Sequence, residues 1–284
     1  MNSSDLRPEQ SEALLKALHI LTRDGKLNQD SRRKLKQVDH LFQFIKPLLQ
    51  SLCQTGEPFT IVDHGAGKSY LGFMLVDWFL KSHAPQAQVI GIEPRQALVE
   101  KARALAQQTG FNQMRFLPLT SLQAIQSQDI AQTVAMVTAL HACDTATDEA
   151  IAFALARKAH FIVAVPCCQA ELAAALRKRK QPYDADPLSE LWRRPIHTRE
   201  FGSHLTNTLR CLQLEAHGYQ VTVTELVGWE HSMKNELIIA QHKGAPKRQA
   251  AQKLLAILER VGLPELSARF TIPKTLEPLT QGSR

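Results

Sequence analysis

The stretch Phe59-Thr60-Ile61-Val62-Asp63-His64-Gly65-Ala66-Gly67-Lys68-Ser69-Tyr70-Leu71 decides how the chain folds. Phe59 to Val62 is a short β-rich run that leads into an acid. The chain then turns through two glycines and enters a segment of helical character carrying Tyr70, Leu71, Phe73, Met74, Leu75, Val76 and Trp78. Strand, glycine turn and helix in that order open a nucleotide-binding α/β unit. The glycines let the backbone approach a ligand closely, and the helix N-terminus offers unpaired N–H groups.

Three nucleotide readings compete for the turn. A dinucleotide fingerprint requires a third glycine where Tyr70 stands. A P-loop ends as Gly67-Lys68-Ser69 does, but its first glycine would fall on Val62, inside the strand. What remains is Asp63-x-Gly65-x-Gly67-x-Ser69. It is similar to the first motif of class I S-adenosyl-L-methionine methyltransferases, with a small residue in the place of the usual third glycine. An acid at Asp63 suits an amino-acid ammonium better than a pyrophosphate. A glycine-rich βα turn used only for tight packing stands as the plain structural alternative.

Outward from this turn the chain alternates strands and helices. Strands fit Thr60–Asp63, Gln88–Glu93, Met114–Leu117, Val134–Leu140 and Phe161–Val165; helices fit Tyr70–Lys81, Gln96–Thr109 and Asp144–Lys158, with a short connection through Leu122–Gln126. Near-continuous apolar strands in such an alternation imply a parallel sheet covered on both faces, with ligands at the carboxyl ends of the strands. A helix over Gln169–Lys180, an irregular three-proline stretch, and a helix over about Arg199–His217 closed by Gly218 follow. Two further strands, Tyr219–Val227 and Glu236–His242, flank the loop Gly228–Asn235. Upstream, residues 8–22 read as a helix with Pro8 near its start, and Ser31 to Leu52 as a second, interrupted at Pro47. Its outer face carries Arg32, Arg33, Lys34, Lys36 and Lys46, either a solvated face or a grip on phosphate. A last helix runs from Pro246 through Val261.

Seven strands in this order are similar to the class I methyltransferase sheet, whose last strand runs antiparallel. The resemblance implies an α/β class: a Rossmann-like seven-stranded class I methyltransferase sheet with N- and C-terminal helical extensions. Boundaries follow at 1–57, 58–243 and 244–284. At 284 residues the chain accommodates one domain of about 180–200 residues plus flanking helices. No apolar run approaches the length of a membrane span, the N-terminus shows no secretion pattern, and five cysteines do not make a disulfide framework in a chain this long. The expected compartment is the cytoplasm. A net charge of +7 with clustered basic residues is compatible with a polyanionic substrate such as RNA, or with plain solubility.

Several residues stand where chemistry is expected. Glu93 ends the second strand, where an acid can accept hydrogen bonds from both ribose hydroxyls. Thr120-Ser121-Leu122, after the third strand, offers a polar group for an adenine amine and an apolar one for the ring, or simply a helix cap. The fourth strand runs into His141-Ala142-Cys143-Asp144-Thr145-Ala146-Thr147-Asp148, which makes a well-formed helix start. The fifth ends in Pro166-Cys167-Cys168-Gln169.

The last two runs resemble one branch of the class I methyltransferases. It contains the tRNA acceptor-stem ribose 2′-O-methyltransferase and related methyltransferase-like proteins, with a His-x-Cys-Gly-x-x-Thr-Asp run after strand four and a Cys-Cys pair after strand five. The turn is similar to that branch's Gly-x-Gly-Lys-Gly-Tyr-Leu, and Trp229-Glu230-His231-Ser232-Met233-Lys234-Asn235 resembles its late Lys-Asn segment. Asp144 and Ser69 each replace a glycine of the pattern. The likeness spans about Lys34–Lys243. It implies a cofactor, S-adenosyl-L-methionine, held by Asp63, Gly65, Ala66, Gly67, Lys68, Tyr70, Glu93, Ser121, Leu122 and His141.

The sulfonium donor arrives activated, so such a site needs alignment of the nucleophile and a general base for a ribose hydroxyl or ring nitrogen. Asp144 and His141 are the candidates, with His231, Glu230 and Lys234 as second choices. The four groups His141, Cys143, Cys167 and Cys168 also suit zinc chemically, but their spacing matches no zinc ribbon or finger, and no metal is expected. Arg177, Lys178, Arg179 and Lys180, with Arg193 and Arg194 and Trp192 nearby, form the strongest basic cluster. Phosphate contacts with an aromatic for stacking suit RNA; cations at a helix end are the bland alternative.

Overall fold

The structure, a computed structural model, describes residues 10–18, 20–22, 24–26, 29–140, 142, 144–166, 169–178, 187–226 and 236–276. Helices α1 (Glu12–Ala17) and α2 (Gln29–Cys53) lead into β1 (Thr60–His64). Then come α3 (Tyr70–Leu75), which continues through a π-helical turn at Val76–Leu80 into α4 (Lys81–His83), β2 (Gln88–Ile92), α5 (Gln96–Thr109), β3 (Met114–Leu117), α6 (Ser121–Gln126), β4 (Met136–Leu140), α7 (Thr145–Ala156) and β5 (Phe161–Val165). The chain finishes with α8 (Glu171–Lys178), α9 (Pro195–Ala216), β6 (Tyr219–Glu225), β7 (Glu236–His242) and α10 (Arg248–Arg260).

One seven-stranded sheet in the order β3-β2-β1-β4-β5-β7-β6 results. The first five strands pair in parallel, and β7 runs antiparallel to both β5 and β6. This is the expected fold, and its cause is visible in the strands. Successive side chains of a strand point to opposite faces. Ile61, Val89, Met136 and Val163 pack under the helices α1, α2, α3 and α5, whereas Val62, Ile90, Val137 and Ile162 pack under α6, α7 and the end of α9.

Two expectations about the N-terminal helices change. The first is short: Ser11 caps α1 by accepting from the Leu14 N–H at 3.2 Å, while Pro8 lies outside the described residues. The second runs through Pro47 without interruption. Proline removes one N–H bond, but Phe42, Ile45 and Leu49 on either side are buried in the shared core, and that packing carries the helix across the gap. Arg32, Lys36 and Lys46 are exposed on α2; the side chains of Arg33 and Lys34 lie outside what is described. Asp77 in the π-helical turn accepts from the Ser11 N–H at 3.0 Å and from Lys81 Nζ at 2.8 Å, fastening α1 to the sheet layer.

The region after β5 departs from a bare sheet. The buried Asn207 side chain donates to Glu236, the first residue of β7, so α9 is level with the carboxyl edge of the sheet there. From Asn207 the helix descends to β6 at the opposite edge, and Pro195 to Thr206 continue beyond the carboxyl edge, a stretch of ~18 Å along the helix axis at 1.5 Å per residue. Helix α8 runs antiparallel alongside. Gly202 lies directly against Ala173: a Cβ at 202 would stand 2.8 Å from the Ala173 Cβ, so only glycine permits this approach. Leu172, Leu176, Trp192, Leu205 and Leu209 fuse the pair with Leu254, Leu258 and Phe270 of the C-terminal segment, and Arg269 pairs with Glu171 at 2.8 Å. No helix among the described residues is long and apolar enough to cross a membrane.

Candidate active site

The glycine turn lies at the carboxyl end of β1. Gly65 and Gly67 have φ of +67° and +58°, and a Cβ at either would meet no heavy atom within 4 Å. The turn therefore has the left-handed backbone that glycine alone adopts freely, and its concave side is open space that a side chain would fill. Ala66 N–H donates to the Ile92 carbonyl at 2.9 Å, tying the turn to β2.

Asp63 sits under this cradle. Its Oδ2 accepts from Ser69 Oγ at 2.9 Å and its Oδ1 from Thr138 Oγ1 at 3.0 Å. Burial, at 3% exposure, pushes its carboxyl up to about 6 against the lowering effect of hydrogen bonds from Ser69, Thr138 and the Gly72 N–H. The side chain thus locks the turn to β4. Ser69 is itself in the left-handed region, with φ of +50°. Its bond to Asp63 offsets the ~1–2 kcal/mol that such a backbone costs a residue bearing Cβ.

Glu93 follows β2 and closes the other side of the cradle. Its Oε2 accepts from the Gly67 N–H at 2.9 Å, while Oε1 accepts from the Arg95 N–H at 3.1 Å and from Arg95 Nε at 2.6 Å. Burial pushes this carboxyl up, but the bonds from Arg95 and Gly67 and the charge of Arg95 outweigh it, and Glu93 titrates below the usual carboxylate range. Lys68 is exposed at the lip. Tyr70 is half-buried, with its hydroxyl buried and without a hydrogen bond among the described residues, and burial pushes its phenol up.

The three residues after β3 divide their tasks. Thr120 is a helix cap: its Oγ1 accepts from the Gln123 N–H at 3.4 Å, and the Gln123 side chain returns a bond to the Thr120 N–H at 2.9 Å. Leu122 is 66% exposed beside it, an apolar surface with nothing of the protein over it. Ser121 is half-buried, its Oγ 2.8 Å from His64 Nε2 and 3.3 Å from the Glu149 carbonyl to which it donates.

After β4, Asp144 has φ of +51° and ψ of −122°. Its Oδ1 accepts from the Ala170 N–H at 2.8 Å and the Glu171 N–H at 3.2 Å, so the side chain caps α8 and not its own helix. Among the described residues no donor reaches Oδ2. Both places where this chain has a non-glycine in a glycine pattern, Ser69 and Asp144, thus have positive φ, and in both the side chain makes bonds that a glycine could not.

Behind Asp144 stands a polar network that the sequence reading did not single out. Arg210, fully buried, donates from Nε and Nη2 to the two oxygens of Asp148 at 2.7 and 2.8 Å, and from Nη2 to the Asp144 carbonyl at 2.8 Å. It also donates to Asn207 Oδ1 at 3.0 Å, which links Gln169 and Glu236 to the same cluster. The signal was present: Asn207, Arg210 and Gln213 form a polar stripe at three-residue spacing on a helix that also carries the inward leucines Leu205, Leu209 and Leu214. His64 was missed as well, although a histidine in a buried strand demands a partner.

His141, Cys143, Cys167, Cys168, Glu230, His231, Lys234, Arg179 and Lys180 lie outside the described residues. Among the described residues no group of three or more His, Cys, Asp or Glu is placed to hold a metal ion. Arg177, Lys178, Arg193 and Arg194 are exposed where α8 ends and α9 begins, past the carboxyl edge. Trp192 corrects an expectation: it is buried, stacked on Phe201 at 5.1 Å between ring centroids, and has no free face for a base. A cavity of about 510 Å³ lined by Leu52, Phe59, Gln88, Thr133 and His160 lies at the amino edge, away from all these groups.

An open glycine cradle, an acid on the neighbouring strand and an exposed apolar residue at the next strand end fit the three parts of an S-adenosyl compound. Residues 33–175 match a family model described as a methyltransferase domain. A Drosophila melanogaster protein described as a glutathione S-transferase C-terminal domain-containing protein homolog is 26% identical over 237 residues, which cover 74% of this chain and 36% of that one. This chain therefore spans little more than a third of the length of the relative it matches. Among solved structures, a methyltransferase from Geobacter sulfurreducens aligns over 85% of this chain and 93% of its own, at 14% identity and a TM-score of 0.41. A SAM-dependent methyltransferase from Aquifex aeolicus aligns over 64% and 81%, at 15% identity and 0.40.

Proposed function

The chain belongs to the methyltransferase-domain family and uses S-adenosyl-L-methionine as its donor, and from that premise we propose that its methyl acceptor is RNA. The observation that carries this reading is the overhang. Exposed Arg177, Lys178, Arg193 and Arg194 stand on a helical pair that projects past the edge where the donor's methyl group would face. A polyanionic backbone is the natural partner of such a rim. The runs around His141 and Cys167, which resemble the tRNA acceptor-stem branch, support the same reading. In it, Arg179 and Lys180, which follow Lys178 in sequence, also contact phosphate.

Bound S-adenosyl-L-methionine supplies an electrophilic methyl carbon. The chain's own tasks are then few. Glu93 accepts from the ribose hydroxyls, Leu122 covers one face of the purine, and Gly65, Ala66 and Gly67 with Lys68 and Tyr70 line the cradle for the methionine portion. Asp63 holds that cradle in shape from beneath. Asp144, with Oδ1 engaged on α8, keeps Oδ2 for the proton of the acceptor, and His141 is the second candidate base. The remaining requirement is alignment of acceptor and methyl carbon with water excluded.

The test uses labelled donor with total RNA and total protein from a strain lacking the gene. Label entering RNA is expected, and RNA binding should weaken with salt. In a variant with Arg177, Lys178, Arg193 and Arg194 all changed to Gln, the slope of log K against log salt should fall by about 3. Label entering only protein, or an unchanged slope, contradicts the reading.

A further inference from the structure

His64 is 5% exposed, and its Nδ1 is buried without a hydrogen bond. It projects from β1 on the face opposite Asp63, its ring 5.4 Å from that of Phe153 between centroids. The only polar contact of the ring among the described residues is the 2.8 Å approach of Nε2 to Ser121 Oγ. Which atom carries the proton between them follows from the rest of the geometry. The one hydroxyl proton of Ser121 goes to the Glu149 carbonyl at 3.3 Å. Nε2 must then be the donor, and Nδ1 keeps a lone pair. In the reverse arrangement Nδ1 would carry a buried N–H with no acceptor, and Ser121 would give up its bond to the Glu149 carbonyl; an unpaired buried donor is the costlier state. Burial pushes the imidazole down to about 4, so the ring stays neutral and keeps a single N–H at neutral pH.

The consequence falls on Ser121. Its proton is directed to Glu149 and one of its lone pairs accepts from His64, so toward the ligand it can only accept. We propose that His64 fixes the Ser121 hydroxyl as an acceptor at the purine subsite, and so selects a 6-amino purine, which donates there, over a 6-oxo purine, which does not. His64 is in this view a positioning and specificity-determining residue. The inference rests on the donor reading above and adds to it a reason for the choice of base.

The experiment is calorimetric titration of S-adenosylhomocysteine and of its inosine counterpart, in which a carbonyl replaces the amine. Wild type should favour the adenosyl compound by about tenfold or more, the scale of one unpaired polar group. His64→Leu should shrink that ratio to about threefold or less by weakening the adenosyl compound alone. His64→Gln, which returns an N–H at the reach of Nε2, should restore most of it. Should His64→Leu fail to fold, Ser121→Ala makes the same comparison, and its ratio should collapse likewise. Wild-type discrimination surviving in His64→Leu and Ser121→Ala, or wild type binding both compounds equally, overturns the role of His64. Wild type binding neither compound removes the donor reading itself, and with it this inference.

Discussion

Arg95 closes on Glu93 from two directions: its Nε donates to Oε1 at 2.6 Å and its Nη2 to Oε2 at 3.1 Å. The guanidinium is 70% exposed and the carboxylate 5% exposed. Together with the Gly67 and Arg95 N–H groups, this pairing engages both oxygens that the proposed ribose contact requires. With its guanidinium largely in solvent the pair is screened and contributes on the order of 1 kcal/mol, so the arginine is a weak competitor. Arg95→Gln should tighten donor binding by about two- to fivefold in a calorimetric titration, with the gain shrinking at high salt. Weaker binding would show that Arg95 itself holds the ligand.

Asp63 and His64 are neighbours on β1 whose ionisations oppose each other. Burial raises Asp63 from 3.8 to about 6, so its contribution to stability is complete below about pH 4 and is lost as pH rises through 6. Burial lowers His64 from 6.5 to about 4, so its contribution is complete above 6.5 and is lost as pH falls through 4. Between pH 4 and 6 the two slopes cancel. Relative to wild type, Asp63→Asn should lose stability as pH falls across that window, and His64→Gln should lose it as pH rises. Each difference should be on the order of 2–3 kcal/mol by chemical denaturation at fixed temperature. Two variants with parallel pH profiles would contradict the assignment.

Asp144 combines a left-handed backbone with a helix cap, and three substitutions separate its duties. Asp144→Ala keeps the strained φ and loses the cap, Asp144→Gly relieves the strain and loses the cap, and Asp144→Asn keeps an acceptor for Ala170 and Glu171. Stability should rank Asn above Gly above Ala, with Ala below wild type by about 1–2 kcal/mol. Gly should recover about 1 kcal/mol of that. If Oδ2 takes the acceptor's proton, Asp144→Asn should be folded yet slower than wild type by about 100-fold or more in kcat. An Asn variant with wild-type kcat would leave Asp144 with the cap alone.

The sheet was legible because its information is local. Apolar runs such as Phe161–Val165 and the turn at Gly65 to Gly67 announce strands and a tight bend from within a few residues. Thr120 and Gln123 likewise announce a capping box. What could not be read depends on tertiary position. Nothing near Pro47 says that Phe42, Ile45 and Leu49 will be held firmly enough to carry a helix through it. Nothing near Trp192 says that Phe201 will cover it. The pairing of Arg210 with Asp148 joins residues 62 apart, and the contact of His64 with Ser121 joins residues 57 apart. Asp144 showed its position in sequence but not its partner, since the helix it caps begins 27 residues later, at Glu171.

Direct titration of S-adenosylhomocysteine into the protein tests the donor site without requiring the acceptor. Wild type should bind it and melt at a higher temperature in its presence, whereas ATP and NAD should give neither heat nor a shift. Gly67→Ala places a Cβ in the open cradle at a φ of +58°. It should stay folded, at a cost of about 1–2 kcal/mol, and lose at least about tenfold in affinity. No binding by wild type, equal binding by Gly67→Ala, or displacement of the ligand by ATP or NAD would contradict a cradle built for a methionine-derived sulfonium.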